Sequence, residues 1–187
     1  MLEQIFSLEK IELSNLQLSP SYTELEKTPE LSDVTKFICI SPIVPANTGF
    51  DDLNGKRFIV PETDEFSDYF YESTLQRMES TRLYSEELLE SFNKFQIVPD
   101  SNYLERIRGK GKKFARIYSV FDNDVKYEVR GYTLPFKLYA APEVQEFLFN
   151  CGLGNYTYKG FGMMDIANAD PTERTEKYHF TREEVFI

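Results

Sequence analysis

The chain has 187 residues, a net charge of −10 and 41% hydrophobic residues, among them sixteen phenylalanines and twelve tyrosines. That is ample for one domain, or one and a half, with a real core. No apolar run approaches the length of a membrane helix, the N-terminus lacks a signal-peptide pattern, and Cys39 and Cys151 lack metal-ligand spacing. The expectation is a cytoplasmic protein with buried, reduced thiols, no bound metal, no cofactor and no membrane partner.

Residues 6–18 alternate loosely, as one extended segment or two short strands, and 19–33 form a polar connection. Residues 34–44 read as a strand ended by Pro42 and Pro45. Residues 56–60 read as a short strand after the turn Asp52-Leu53-Asn54-Gly55. A helix starts near Thr63 or Asp64, where Asp64 and Glu65 suit the helix dipole, and runs to about Leu83. Residues 86–95 look like a further helical turn or two, stopped by Pro99. Residues 112–121 and 125–133 alternate as two strands joined at Asp122-Asn123-Asp124, and 134–140 continue extended. Pro142 opens a second helix with Val144, Phe147 and Leu148 on its apolar face. A glycine-rich loop, a strand over 161–166 and a charged tail over 167–187 complete the chain.

Counted from Val34, the order is strand, helix, strand, strand, helix, strand. This is the βαββαβ order of the ferredoxin-like α+β fold, an antiparallel sheet with helices on one face. Residues 56–60 and 134–140 are then elaborations. Residues 34–166 form the domain, 1–33 a remnant of something before it, and 167–187 a tail.

Two segments stand out chemically. The loop from Cys151 to Met164 places Gly152, Gly154, Gly160 and Gly162 within eleven residues. It is not a dinucleotide fingerprint, because the spacing is wrong and the loop leaves a helix for a strand. Two readings remain. Gly152 caps the helix before a tight turn, or the loop amides form a concavity for phosphates. The second segment carries six positive charges and no negative one: Arg106, Arg108, Lys110, Lys112, Lys113 and Arg116. On an acidic chain, it either directs a polyanion to one place or is a solvated loop.

The pairing of Ile40-Ser41-Pro42-Ile43-Val44 with the later G-L-G-x₅-G-F-G-M resembles the CRISPR-associated repeat-processing endoribonucleases of the RAMP superfamily. Asp64-Glu65-Phe66 and Val129-Arg130-Gly131-Tyr132, ahead of Pro135-Phe136, add to the resemblance, which spans residues 5–166. It implies two tandem ferredoxin-like domains, of which this chain matches the second. It also implies CRISPR repeat RNA as the partner, other effector subunits as further partners, and a glycine loop that shapes the RNA cleft. The family's catalytic histidine belongs to the first domain, which has no counterpart here. The one histidine, His179, lies beyond the matched region.

Cleavage at a 2′-hydroxyl needs a base, an acid and a cation near the phosphorane. His179 is the weak candidate for the first two tasks, with Tyr156 and Tyr158 beside Lys159 as helpers. Binding is better supplied. Backbone amides at Gly152, Gly154, Asn155, Gly160 and Gly162, together with Lys159 and the six cations, are the expected phosphate contacts. Tyr103, Tyr132 and Tyr158 are the expected base-stacking side chains. The alternatives are a non-catalytic subunit that holds guide RNA and an acidic ferredoxin-like protein-interaction domain.

Overall fold

A computed structural model describes residues 2–45, 59–122 and 125–177. The elements in chain order are α1 (Leu2–Phe6), β1 (Ile11–Leu13), β2 (Leu16–Leu18), β3 (Glu24–Glu26), β4 (Val34–Cys39), α2 (Asp64–Thr81), α3 (Glu86–Ser91), β5 (Phe95–Pro99) and α4 (Ser101–Gly109). They continue as β6 (Ala115–Asp122), β7 (Val125–Tyr132), β8 (Phe136–Ala140), α5 (Pro142–Cys151), β9 (Met164–Ile166) and β10 (Thr175–Lys177). The expected turn at 52–55, residues 56–58 of the expected strand and two of the three hairpin-turn residues lie outside the described residues. Ile59 and Val60 belong to no strand.

The chain divides into two compact units, Met1–Pro29 with Asp170–Ile187, and Glu30–Ala169. In the first, β1 and β2 form a short antiparallel hairpin. β3 pairs with β10, where the Arg174 guanidinium lies 2.8 Å from the Glu26 carboxylate.

The second unit is ferredoxin-like. Its sheet is antiparallel in the order β5-β8-β4-β9, with Val34 opposite Tyr139, Ile97 opposite Leu138 and Cys39 opposite Met164. Alternation on β8 buries Phe136, Leu138 and Ala140 and turns Lys137 and Tyr139 outward, the period-two pattern of a one-sided sheet. Phe37, Ile97 and Met164 share the buried face with Phe66, Phe70, Phe147 and Leu148 from the helices. Each such fully buried side chain contributes roughly 1.5–3 kcal/mol relative to exposure. Spacing by four on α2 (Phe66, Phe70, Thr74, Met78) lines one helical face with buried residues. The Ile97 N–H donates to Ser67 Oγ and ties α2 to β5.

The fold class matches the expected one, but the strand assignment is corrected. The second and third strands of the motif are β5 and β8, not the 112–133 hairpin. β6 and β7 pair only with each other within their sheet, and with α4 they form an insertion between β5 and β8. The further helical turn or two expected over 86–95 is α3, which ends at Ser91, and Phe95 opens β5. The first strand stops at Cys39, after which Ile43 and Val44 make isolated bridges to Tyr132 and Gly154. The last strand is only Met164–Ile166, preceded by a 3₁₀ turn at Thr157–Lys159.

Candidate nucleic-acid interface

The glycine loop is closed on itself and on the segment after β4. Gly152 caps α5, its N–H donating to the Leu148 carbonyl at 2.8 Å. The Leu153 N–H donates to the Gly162 carbonyl, the Asn155 N–H to Val44 and the Gly162 N–H to Pro42, each at 2.9 Å. Gly160 and Phe161 donate within the loop, to Thr157 and Tyr156. The expectation that these amides receive phosphates is therefore corrected for Gly152, Asn155, Gly160 and Gly162: a donor already bonded inside the protein has no hydrogen to offer a ligand. Gly154 and Gly162 answer to packing instead. At Gly154 (φ +84°) a Cβ would sit 2.3 Å from the Val44 carbonyl oxygen, and at Gly162 (φ +79°) 2.4 Å from that of Leu153.

Arg77 of α2 fastens the same loop. Its guanidinium donates to the carbonyls of Cys151 (2.6 Å), Gly152 (2.8 Å) and Gly154 (3.2 Å) and lies over the Phe147 ring at 5.2 Å. Three carbonyls at a helix C-terminus are the orphan acceptors that a cation satisfies best. Sequence reading missed this arginine, whose only signal was a cation on an otherwise acidic helix. Beyond the loop, Val44, Tyr156, Val120 and Val129 form a small cluster, with Tyr118 edge-on to Phe161 at 5.5 Å. The β6–β7 hairpin is thereby seated on the loop.

The six expected cations do not form one strip, because α4 and β6 send them to different places. Arg108 pairs with Glu62 at 2.7 Å and stacks on Phe114, so its charge is locally compensated. Lys110 follows α4 as its C-cap, the backbone N–H donating to Arg106 and Arg108 carbonyls. Lys112, Lys113 and Arg116 border an open groove of about 500 Å³ with Phe114 and Ile117. Arg130 joins them, a residue not expected at the site. Its placement follows from the hairpin register, which sets Arg130 opposite Ile117.

Arg106 faces a second concavity of about 320 Å³ on the uncovered side of the main sheet. β4 supplies Lys36 and Ile38, and α4 supplies Asn102, Tyr103 and Arg106. Arg106 lies 5.8 Å from the centre of the Tyr103 ring. Asp100 caps α4 by accepting the Tyr103 N–H at 3.0 Å and pairs with Lys36 at 3.0 Å. Those two contacts, the backbone one first, hold its carboxyl below the usual range.

The remaining expectations divide. Tyr132 is 1% exposed, its hydroxyl donating to the Ile59 carbonyl, so it cannot stack on a base. Tyr156 is buried and Tyr158 is 71% exposed. Lys159 donates to the Phe121 carbonyl at 2.5 Å, tying the loop to the hairpin. Cys151 is exposed rather than buried, whereas burial pushes the Cys39 thiol up to about 11. His179 lies outside the described residues. Among the described residues no three His, Cys, Asp or Glu side chains converge to hold a metal ion, and no helix is long and apolar enough to cross a membrane.

A family model described as CRISPR associated protein Cas6, C-terminal, matches residues 26–166. Among solved structures, the chain is similar to a Cas6-related protein from Pyrococcus furiosus, with a TM-score of 0.64 and 23% identity over 90% of this chain and 62% of that one. It is also similar to a RAMP protein described as binding different RNA substrates (TM-score 0.62, 18% identity, 89% and 62% covered). A third similar structure is a CRISPR associated protein Cas6 (TM-score 0.57, 16% identity, 89% and 62% covered). These likenesses show a shared fold, and the chain spans 62% of each relative's length. No curated protein matches.

Proposed function

The chain belongs to the Cas6 C-terminal family, and from that premise we propose that it binds CRISPR repeat RNA and takes part in its processing. The observation that carries the reading is the open groove of Lys112, Lys113, Arg116 and Arg130 inside the family-matched region. Cations gathered around one groove neutralise successive phosphates, each contributing about −0.7 to the log–log salt slope of a single strand. The RNA-binding role falls to 34–166, and the glycine loop serves it as a scaffold that seats the hairpin. The cytoplasm is the working compartment, and subunits of a CRISPR effector complex are the expected recipients of the bound RNA.

Processing is cleavage within the repeat. The 2′-hydroxyl loses its proton to a base as its oxygen attacks the adjacent phosphorus. The P–O5′ bond breaks, the leaving 5′-oxygen takes a proton from an acid, and a 2′,3′-cyclic phosphate remains. Fixing the phosphates on either side of the reacting bond aligns attack and departure, which itself lowers the barrier. Cations beside the phosphorane stabilise its added charge.

End-labelled repeat RNA, incubated with the chain in EDTA, tests both parts. Retention with a cyclic-phosphate product supports binding and cleavage by this chain. Retention without product supports the guide-RNA-holding role and rejects autonomous cleavage. Absence of retention at low salt overturns the reading.

A further inference from the structure

The concavity beside Arg106 is separate from the basic groove, and the two share no lining residue. Ile38, Pro135 and Tyr103 give it apolar and aromatic walls. Its rim is rich in donors. Lys36 has three N–H groups with one directed at Asp100, and Arg106 has five. Asn102 sits on α4, and Asn168 follows β9 in a left-handed conformation (φ +63°), both bordering the cavity. Both residues are exposed, so their amides are open to a ligand at the cavity edge. Lys36 and Arg106 against Asp100 leave one net positive charge.

A volume of about 320 Å³ is at the small end of organic-ligand sites, whose range starts near 300 Å³. A bare phosphate would leave the apolar and aromatic walls uncovered, and a duplex would not enter. We propose that this cavity is a subsite for one unpaired ribonucleotide, its base against Tyr103 and Ile38, its phosphate toward Arg106 and Lys36, and the Asn102 and Asn168 amides on the base edge. The inference rests on the RNA reading above and deepens it. The groove holds backbone without regard to sequence, while the amide-lined pocket inspects a single base.

The test is photocrosslinking of the full chain to a short oligouridylate carrying 4-thiouridine, with the labelled peptides mapped. The expected result is label on two segments, one containing Tyr103 and one within 112–117. Tyr103→Ala should remove the first label, spare the second and lower affinity about tenfold. Asn168→Gly, which keeps the positive φ, should weaken the first label without disturbing the fold. Label confined to 112–117, or a Tyr103 label indifferent to both variants, overturns the subsite and leaves the RNA reading intact. No crosslink at any position overturns both.

Discussion

The glycine loop and the basic groove make opposite use of similar promise. In the loop, main-chain donors are spent on the chain itself: Leu153 on Gly162, Asn155 on Val44, Gly162 on Pro42. In the groove, Lys112, Lys113 and Arg116 stand exposed around an open concavity. The loop had the appearance of a ligand cradle, yet it is a clasp. Of the six cations expected to contact phosphate, Lys112, Lys113 and Arg116 border one concavity. A donor's availability is decided by its partners, not by its residue type.

The largest effect expected from this contrast is at Gly154. A Cβ there meets backbone and the Phe70 ring at positive φ, so Gly154→Ala should cost about 3 kcal/mol or more in denaturant unfolding. Gly160→Ala, also at positive φ but in open space, should cost only about 1 kcal/mol. Equal losses at the two positions would break the clasp account. Next comes Arg77→Met, which leaves three carbonyls without their cation. It should lower stability by about 2–3 kcal/mol and speed hydrogen exchange at Leu153 and Gly162.

The groove side responds in binding rather than stability. Reversing Lys112, Lys113 and Arg116 to Glu should flatten the salt slope of RNA affinity by about 2, at about 0.7 per lost phosphate. The unfolding midpoint should stay nearly unchanged, because these side chains are exposed or on the groove rim. An unchanged slope would move the phosphate contacts elsewhere.

The smallest effect concerns the thiols. Cys151 is exposed, while Cys39 is held neutral with its pKa raised from 9.0 to about 11 by burial. The native protein should therefore react with Ellman's reagent at one thiol near pH 8, and at two after denaturation. Cys39's folded pKa lies above its unfolded one, so its contribution to stability is complete below pH 9. It is lost as pH rises toward 11.

Local signals carried far into the structure. Pro142, the Val144-Phe147-Leu148 face and Gly152 bracket α5 in the sequence as they do in the fold. Asp64 and Glu65 mark the start of α2. The ferredoxin-like order was legible too, but two of its strands were misplaced. Phe92 and Phe95 extend the apolar rhythm of α3, which hides the point where β5 begins. The long alternation of 115–132 was read correctly as a hairpin, yet whether a hairpin joins the central sheet depends on partners distant in sequence. The same limit explains the site. Nothing near Gly162 shows that its amide is claimed by Pro42, 120 residues earlier. Arg130 became part of the groove only through its register with Ile117.

The claim that the loop is a clasp and the groove the phosphate contact is tested most directly by amide-resolved NMR titration with a short single-stranded RNA. The account predicts shifts over residues 112–117 and at Arg130, with the amides of Leu153, Asn155 and Gly162 unmoved and slow to exchange throughout. Large shifts at those three amides, with residues 112–117 silent, would contradict it.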